Sequence, residues 1–459
     1  MTLNIRYQMK KSFVFALSLA LLFSSNAGAV SLFEAMGEAY EHNPTLEGQR
    51  AYLRAVDENV AIAKSGYRPN LSLNAGYSDT HAHNDVVPIV GDGYQKTVSA
   101  NVSQPIFNGF STYNSVKAAD KTVKAEQSNL LTVEQQVLLS AGTAYLDVLK
   151  DESIVKLQKN NERLLKKRLD ETRERFNVGE VTRTDVSQAE ARHSAAISDL
   201  IAAEGNLAAS KAAYLQIIGN TPEGLVEPTE LTKMFPASMD EALNYAKEHN
   251  YALKAAKDNF DAQSYNVSAT GGALLPQITF DASASRGKSE AKNTKDPETH
   301  TYQWGVNMKV PLYNGGETRA KIRQSKYRKW QAHEAVLEAE RTVVSNVTSS
   351  WEYMNANLSR TKSVKDQVKA YAIALDGVQQ EEALGNRTVL DVLDAYQSLL
   401  NANVSEVQAM RDYYVSGMQL LLSMGKLTAK NLGLNVEFYD AQKHSEKTRG
   451  KWLSLSADK

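Results

Sequence analysis

The chain has 459 residues with ten prolines and no cysteine, and its 52 basic and 53 acidic side chains nearly balance at a net −1. Without cysteine there can be no disulfide framework, no thiolate metal site and no lipid anchor on an N-terminal cysteine. Without a basic excess, nucleic acid is not an expected partner.

The first residues read as an address. Lys10-Lys11, an apolar run from Phe13 to Phe23 and the small residues up to Ala29 follow the order of a secretory leader. Residues 1–29 are therefore expected to be a signal peptide cut after Ala29. The run is too short to cross a bilayer as a helix, and nothing beyond residue 30 approaches the roughly 18 apolar residues that would.

The remainder of the chain is written twice. "SLFEAMGEAYEHNP" from Ser31 reads against "SMDEALNYAKEHNY" from Ser238, an offset of 207. "QPIFNG" at Gln104 matches "VPLYNG" at Val310, and "NVGEVTRTDV" at Asn177 matches "ALGNRTVLDV" at Ala383, now at 206. A period this long is no solenoid repeat. It indicates two copies of one large unit.

Taken in chain order, the first repeat (30–219) is predicted as a helix, a β-hairpin (70–104), a very long helix (111–176) and a return helix (184–218). A linker (220–237) leads to the second repeat (238–427), with hairpin 277–310, long helix 317–384 and return helix 390–424. A tail, 428–459, closes the chain. In the hairpins the hydrophobic period switches from 3.6 to 2: Leu71, Leu73, Ala75 and Tyr77 alternate with polar residues, as do Tyr302, Trp304, Val306 and Met308. Pro69, Pro105, Pro276 and Pro311 are expected at the four strand–helix junctions, where a missing N–H does least harm. The long helices, unbroken by proline, would each run roughly 100 Å. Gly179 and Gly385 mark the turns into the return helices, which are expected to pack antiparallel as coiled-coil hairpins.

Each strand is about 9–11 residues, enough to cross a bilayer when tilted. Four strands cannot close a barrel, however, and an open edge is not tolerated in lipid. Copies of the chain must therefore pool their strands in a ring. Tyr302 and Trp304 suit an aromatic girdle at the membrane interface. The pair His81-x-His83 lacks a third ligand and makes a poor metal site.

The two tip motifs, "FNVGEVTRTDV" (176–186) and "LGNRTVLDVLDA" (384–395), with the junctions at Pro105 and Pro311, resemble the TolC family of outer-membrane channel proteins over essentially the whole mature sequence. The resemblance implies a fold of mixed α and β: a homotrimer whose 12-strand outer-membrane β-barrel continues as a 12-helix periplasmic tunnel. It also implies outer-membrane lipid, a periplasmic adaptor protein and an inner-membrane ABC transporter or proton-driven pump as partners. The tail, 433–452, looks like that of members serving type I secretion.

Asp391 and Asp394 share one face of a return helix near its start. On their own they read as acidic residues favouring the helix dipole; by resemblance they match a ring of carboxylates at the periplasmic entrance. Arg387 and Asp185 match a pair that holds that entrance closed, although an aromatic of the family's latch is Glu382 here. Val178, Gly179, Leu384 and Gly385 are expected to dock the adaptor, or to serve only the turns.

No Gly-rich phosphate loop, G-x-S-x-G or H-E-x-x-H occurs, so neither an enzyme nor a cofactor is expected. The expected function is the passive exit duct of a tripartite export system for type I protein secretion, with small-molecule efflux as the alternative. A trimeric coiled-coil adhesin or stalk would explain the helices but not the doubled hairpins.

Overall fold

The structure, a computed structural model, describes residues 30–81, 93–291 and 298–457. The expected leader and His83 lie outside these. The chain forms two compact units, each assembled from three stretches of sequence: one from residues 40–139, 235–356 and 416–457, the other from 30–39, 140–234 and 357–415.

The first unit carries a four-stranded antiparallel sheet in the order β1 (Asn70–Thr80), β2 (Gly93–Asn108), β3 (Gln277–Ala291) and β4 (Glu298–Lys309). The two hairpins join through β2 and β3, with Ser99 opposite Ser285 and Ala100 opposite Ala284. β1 and β4 are left as edges. Alternation sorts the side chains as in a membrane barrel rather than a soluble sheet. Leu71, Leu73, Tyr77, Tyr302, Trp304, Val306 and Met308 are all exposed, Leu73 and Trp304 each at 76%. The opposite face is polar and internally bonded: the Asp281 carboxylate accepts from Ser103 (2.6 Å), Asn307 (2.7 Å) and Thr279 (2.8 Å). No described helix is long and apolar enough to cross a membrane.

One of the four prolines is not where it was expected. Pro105 lies inside β2, which continues to Asn108, and the pairing with β3 shifts register between Pro105 and Phe107. The ladder is already interrupted at that bulge, so a residue without an N–H is tolerated there. Pro69 and Pro276 immediately precede β1 and β3, and Pro311 follows β4.

Helices α1 (Leu32–His42) and α2 (Pro44–Ser65) are matched by α5 (Met239–His249) and α6 (Tyr251–Gly271). Asn43 and Asn250, 207 apart, cap α2 and α6 by accepting from Thr45 (3.0 Å) and Leu253 (3.1 Å). Val56 and Val60 of α2 pack on Val123 of α3 (Ser111–Asn177). The tail, where no element was expected, folds as two short helices, α9 (Ala429–Leu432) and α10 (Ala441–Thr448). Buried Glu134 accepts from the N–H of Ala429 at 2.8 Å, and His444 of α10 meets Asp57 of α2 at 2.7 Å.

The second unit is helical. α4 (Arg183–Ile218) lies antiparallel on α3, as Lys211–Glu152 (3.1 Å), Lys159–Glu204 (3.1 Å) and Arg173–Glu190 (2.7 Å) show. α8 (Val389–Met424) lies antiparallel on α7 (Glu317–Ala383), with Arg360 on Asp412 at 3.3 Å. The buried residues of α4 include Ala189, Ala196 and Ala203, seven apart, the seam of a closely packed coiled coil.

Candidate functional site: the helical tips and the paired carboxylates

α3 and α7 end in the same way. Gly179 takes φ 81° and Gly385 φ 77°, a left-handed conformation that only glycine adopts readily. In the first turn the N–H of Gly179 donates to the Phe176 carbonyl (3.0 Å) and that of Glu180 to Arg175 (2.9 Å). In the second, Gly385 donates to Glu382 and Asn386 to Glu381, both at 2.9 Å. This is the Schellman closure of a helix, repeated at an offset of 206. Val178 and Leu384, the residues just before the glycines, are exposed at 72% and 78%.

The return helices also begin alike. The Asp185 carboxylate accepts from the backbone N–H and hydroxyl of Thr182, both at 2.8 Å, and the Asp185 N–H donates back to the hydroxyl. Asp391 does the same with Thr388, at 2.9 Å and 2.8 Å. These reciprocal bonds satisfy N–H groups that a helix start leaves orphaned. They also hold the Asp391 carboxyl below the usual carboxylate range: the Thr388 N–H contributes most, then its hydroxyl, then the charge of Arg387.

Beyond the caps the repeats differ. Asp394 has Gln188 at the matching place in the first repeat. Its Oδ1 accepts from Nη2 of Arg192 on α4 at 2.5 Å. Arg387 and Asp185 are not brought together within one chain: Arg387 donates to Glu381 at 2.7 Å, and Asp185 serves its cap. Glu382 accepts from Nη1 of Arg175 at 2.6 Å.

Two participants were missed in the sequence, Arg192 and Arg175. Arg175 adjoins the tip segment but was not paired with Glu382, because that contact joins residues 207 positions apart. For Arg192 the only available signal was asymmetry, since Ser398 stands at its matching position.

The family model for outer membrane efflux proteins matches the chain twice, over residues 35–220 and 242–426. The chain is 36% identical to the outer membrane efflux protein BepC of Brucella suis biovar 1, covering 96% of this chain and 95% of the relative. It is 30% identical to the outer membrane protein TolC of Vibrio cholerae serotype O1, over 93% of this chain and 99% of that one. The fold is that of the Campylobacter jejuni CmeC outer membrane channel, with TM-score 0.76 at 16% identity over 91% of this chain and 89% of the other. The doubled hairpins, the apolar outer face of the sheet and the doubled match leave one conclusion: the chain belongs to the outer membrane efflux protein family, and is an outer-membrane protein with a periplasmic helical part.

Proposed function

We propose that the protein is the exit duct of a tripartite exporter, three copies of which pool their sheets into one barrel and their helices into one tunnel. The observation that carries this is the sheet itself: an apolar outward face, a polar inward face and two unpaired edges, β1 and β4. A lipid-exposed edge is untenable, so the edges must meet those of further copies. The chain has no nucleotide-binding motif, so energy comes from an inner-membrane partner, an ABC transporter or a proton-driven pump, reached through a periplasmic adaptor.

In this reading Asp391 and Asp394 form the constriction at the periplasmic entrance. Arg387 and Asp185 latch it between neighbouring copies, since within one chain each is engaged elsewhere. The exposed Val178 and Leu384, held by the turns at Gly179 and Gly385, are the adaptor's docking points. Secretion of proteins is favoured by the tail's likeness to type I members. Small-molecule efflux is the second reading, favoured by the name of the relative at 36% identity.

Purified protein in a planar bilayer should conduct, which a stalk or adhesin would not. Arg387→Ser should raise the resting conductance, and an equally closed channel would refute the latch. Crosslinking in cells, followed by identification of the adaptor and pump that co-purify, separates secretion from efflux.

A further inference from the structure

Each chain brings two carboxylates to the proposed entrance, and the structure treats them differently. Asp391 faces its own Thr388, and the nearby Arg387 spends its hydrogen bond on Glu381. Asp394 instead receives a guanidinium from another helix, Arg192 of α4, at 2.5 Å.

Packing fixes that contact. Ala196, one turn beyond Arg192, belongs to one buried cluster with Leu393, the neighbour of Asp394, and Leu165 of α3. α3, α4 and α8 thus share one buried cluster beside the ion pair. The neighbouring cations are already committed: Arg173 to Glu190 (2.7 Å), and Arg175 to Glu382 (2.6 Å) and Glu180 (3.2 Å). The repeat supplies an independent observation. The second carboxylate occurs only in the second repeat, and the arginine that meets it occurs only in the first, with Gln188 and Ser398 at the respective matching positions.

We propose that Arg192 is a selectivity-setting residue of the entrance, compensating the Asp394 ring so that multivalent cations are held mainly by Asp391. The proposal rests on the reading of these aspartates as the constriction. In a threefold ring, three of six carboxylates would each carry a bound guanidinium. A multivalent cation would have to displace those guanidinium groups to use the Asp394 ring. A unit charge a few ångströms from a bound trivalent ion, at surface dielectric, alters its affinity by about tenfold or more.

The test is block of the full-length protein in planar bilayers by hexamminecobalt(III) added on the periplasmic side, with the reversal potential read in a KCl gradient. Arg192→Gln should lower the half-blocking concentration about tenfold or more and shift the reversal potential toward stronger cation preference. Arg192→Lys should stay close to wild type, and Arg173→Gln, which removes an equal charge from a different pair, should change neither readout. If Asp391→Asn with Asp394→Asn abolishes block while Arg192→Gln leaves it unchanged, the role of Arg192 is overturned and the entrance stands. If the double variant blocks like wild type, the entrance reading falls and the proposal with it.

Discussion

Nη1 of Arg175 sits 2.6 Å from Oε1 of Glu382, tying the last turn of α3 to the last turn of α7. The Glu382 side chain is only 12% exposed, so the contact is better shielded than a surface pair, which is worth about 0–1 kcal/mol. By the resemblance to the TolC family, Glu382 stands where an aromatic of the proposed latch would be expected. Arg175→Glu or Glu382→Arg alone places like charges together and should raise the resting conductance of single channels. The double exchange should restore it. Equal conductance in all three variants would reduce the pair to tip decoration.

The sheet edges allow a register to be stated before any assembly is imaged. β4 is the copy of β2 at an offset of 206, as Pro311 is of Pro105, and β1 is the copy of β3 at 207, as Pro69 is of Pro276. Carrying the β2–β3 pairing of Ala100 with Ala284 onto the edges places Val306 of one copy opposite Tyr77 of the next. Apolar side chains then meet across the joint, and a one-residue slip would put Val306 opposite Ser78. The chain has no cysteine, so Tyr77→Cys with Val306→Cys should give disulfide-linked dimers and trimers under mild oxidation. Ser78→Cys with Val306→Cys should give far fewer. The reverse ranking would show that the repeat does not dictate the joint.

How much of the molecule was legible in its sequence depended on whether a feature was local. The period switch at Arg68-Pro69, the glycines at 179 and 385 and the doubled motifs are statements about neighbours in sequence, and they mark out hairpin, helix and tip. Pro105 misled because a bulge is a property of the pairing with β3, not of β2 alone. The tail's helices owe their place to partners elsewhere in the chain, Asp57 and Glu134. For the paired carboxylates, charge and spacing were readable. The cation on Asp394 comes from a residue 202 positions away and left no periodic trace.

Glu134 gives the fold a definite pH sense. It is 6% exposed and accepts from the Ala429 N–H, and burial raises its carboxyl above the ordinary value. A raised carboxyl favours the protonated folded form. Its contribution is therefore fully present below the unfolded value near 4.5 and is lost as pH rises through the folded one. Glu134→Gln keeps an acceptor and carries no charge. Its melting temperature in detergent should match wild type near pH 4 and exceed it at pH 8. Glu134→Ala should cost about 1–3 kcal/mol by stranding a buried N–H. A Gln variant less stable than wild type at pH 8 would mean that the charge is needed.

Asp391 has the opposite sense, and here the readout is functional. Its two bonds from Thr388 and the charge of Arg387 keep the carboxyl ionised below the ordinary value of 3.8. A depressed carboxyl stabilises the cap at pH above the unfolded value, and that contribution is lost as pH falls through the folded one. Block by multivalent cations should accordingly persist in mild acid and fade only below about pH 3.8. Thr388→Val removes the hydroxyl but keeps the backbone N–H, the larger of the two contributions. It should move the fading of block to higher pH without abolishing block at pH 7, while costing the helix about 1 kcal/mol of capping. If the pH at which block fades is the same in both proteins, the Thr388 hydroxyl does not tune Asp391. If block vanishes at every pH in the Thr388 variant, the cap is needed to place the carboxylate at all, and its charge is secondary to its position.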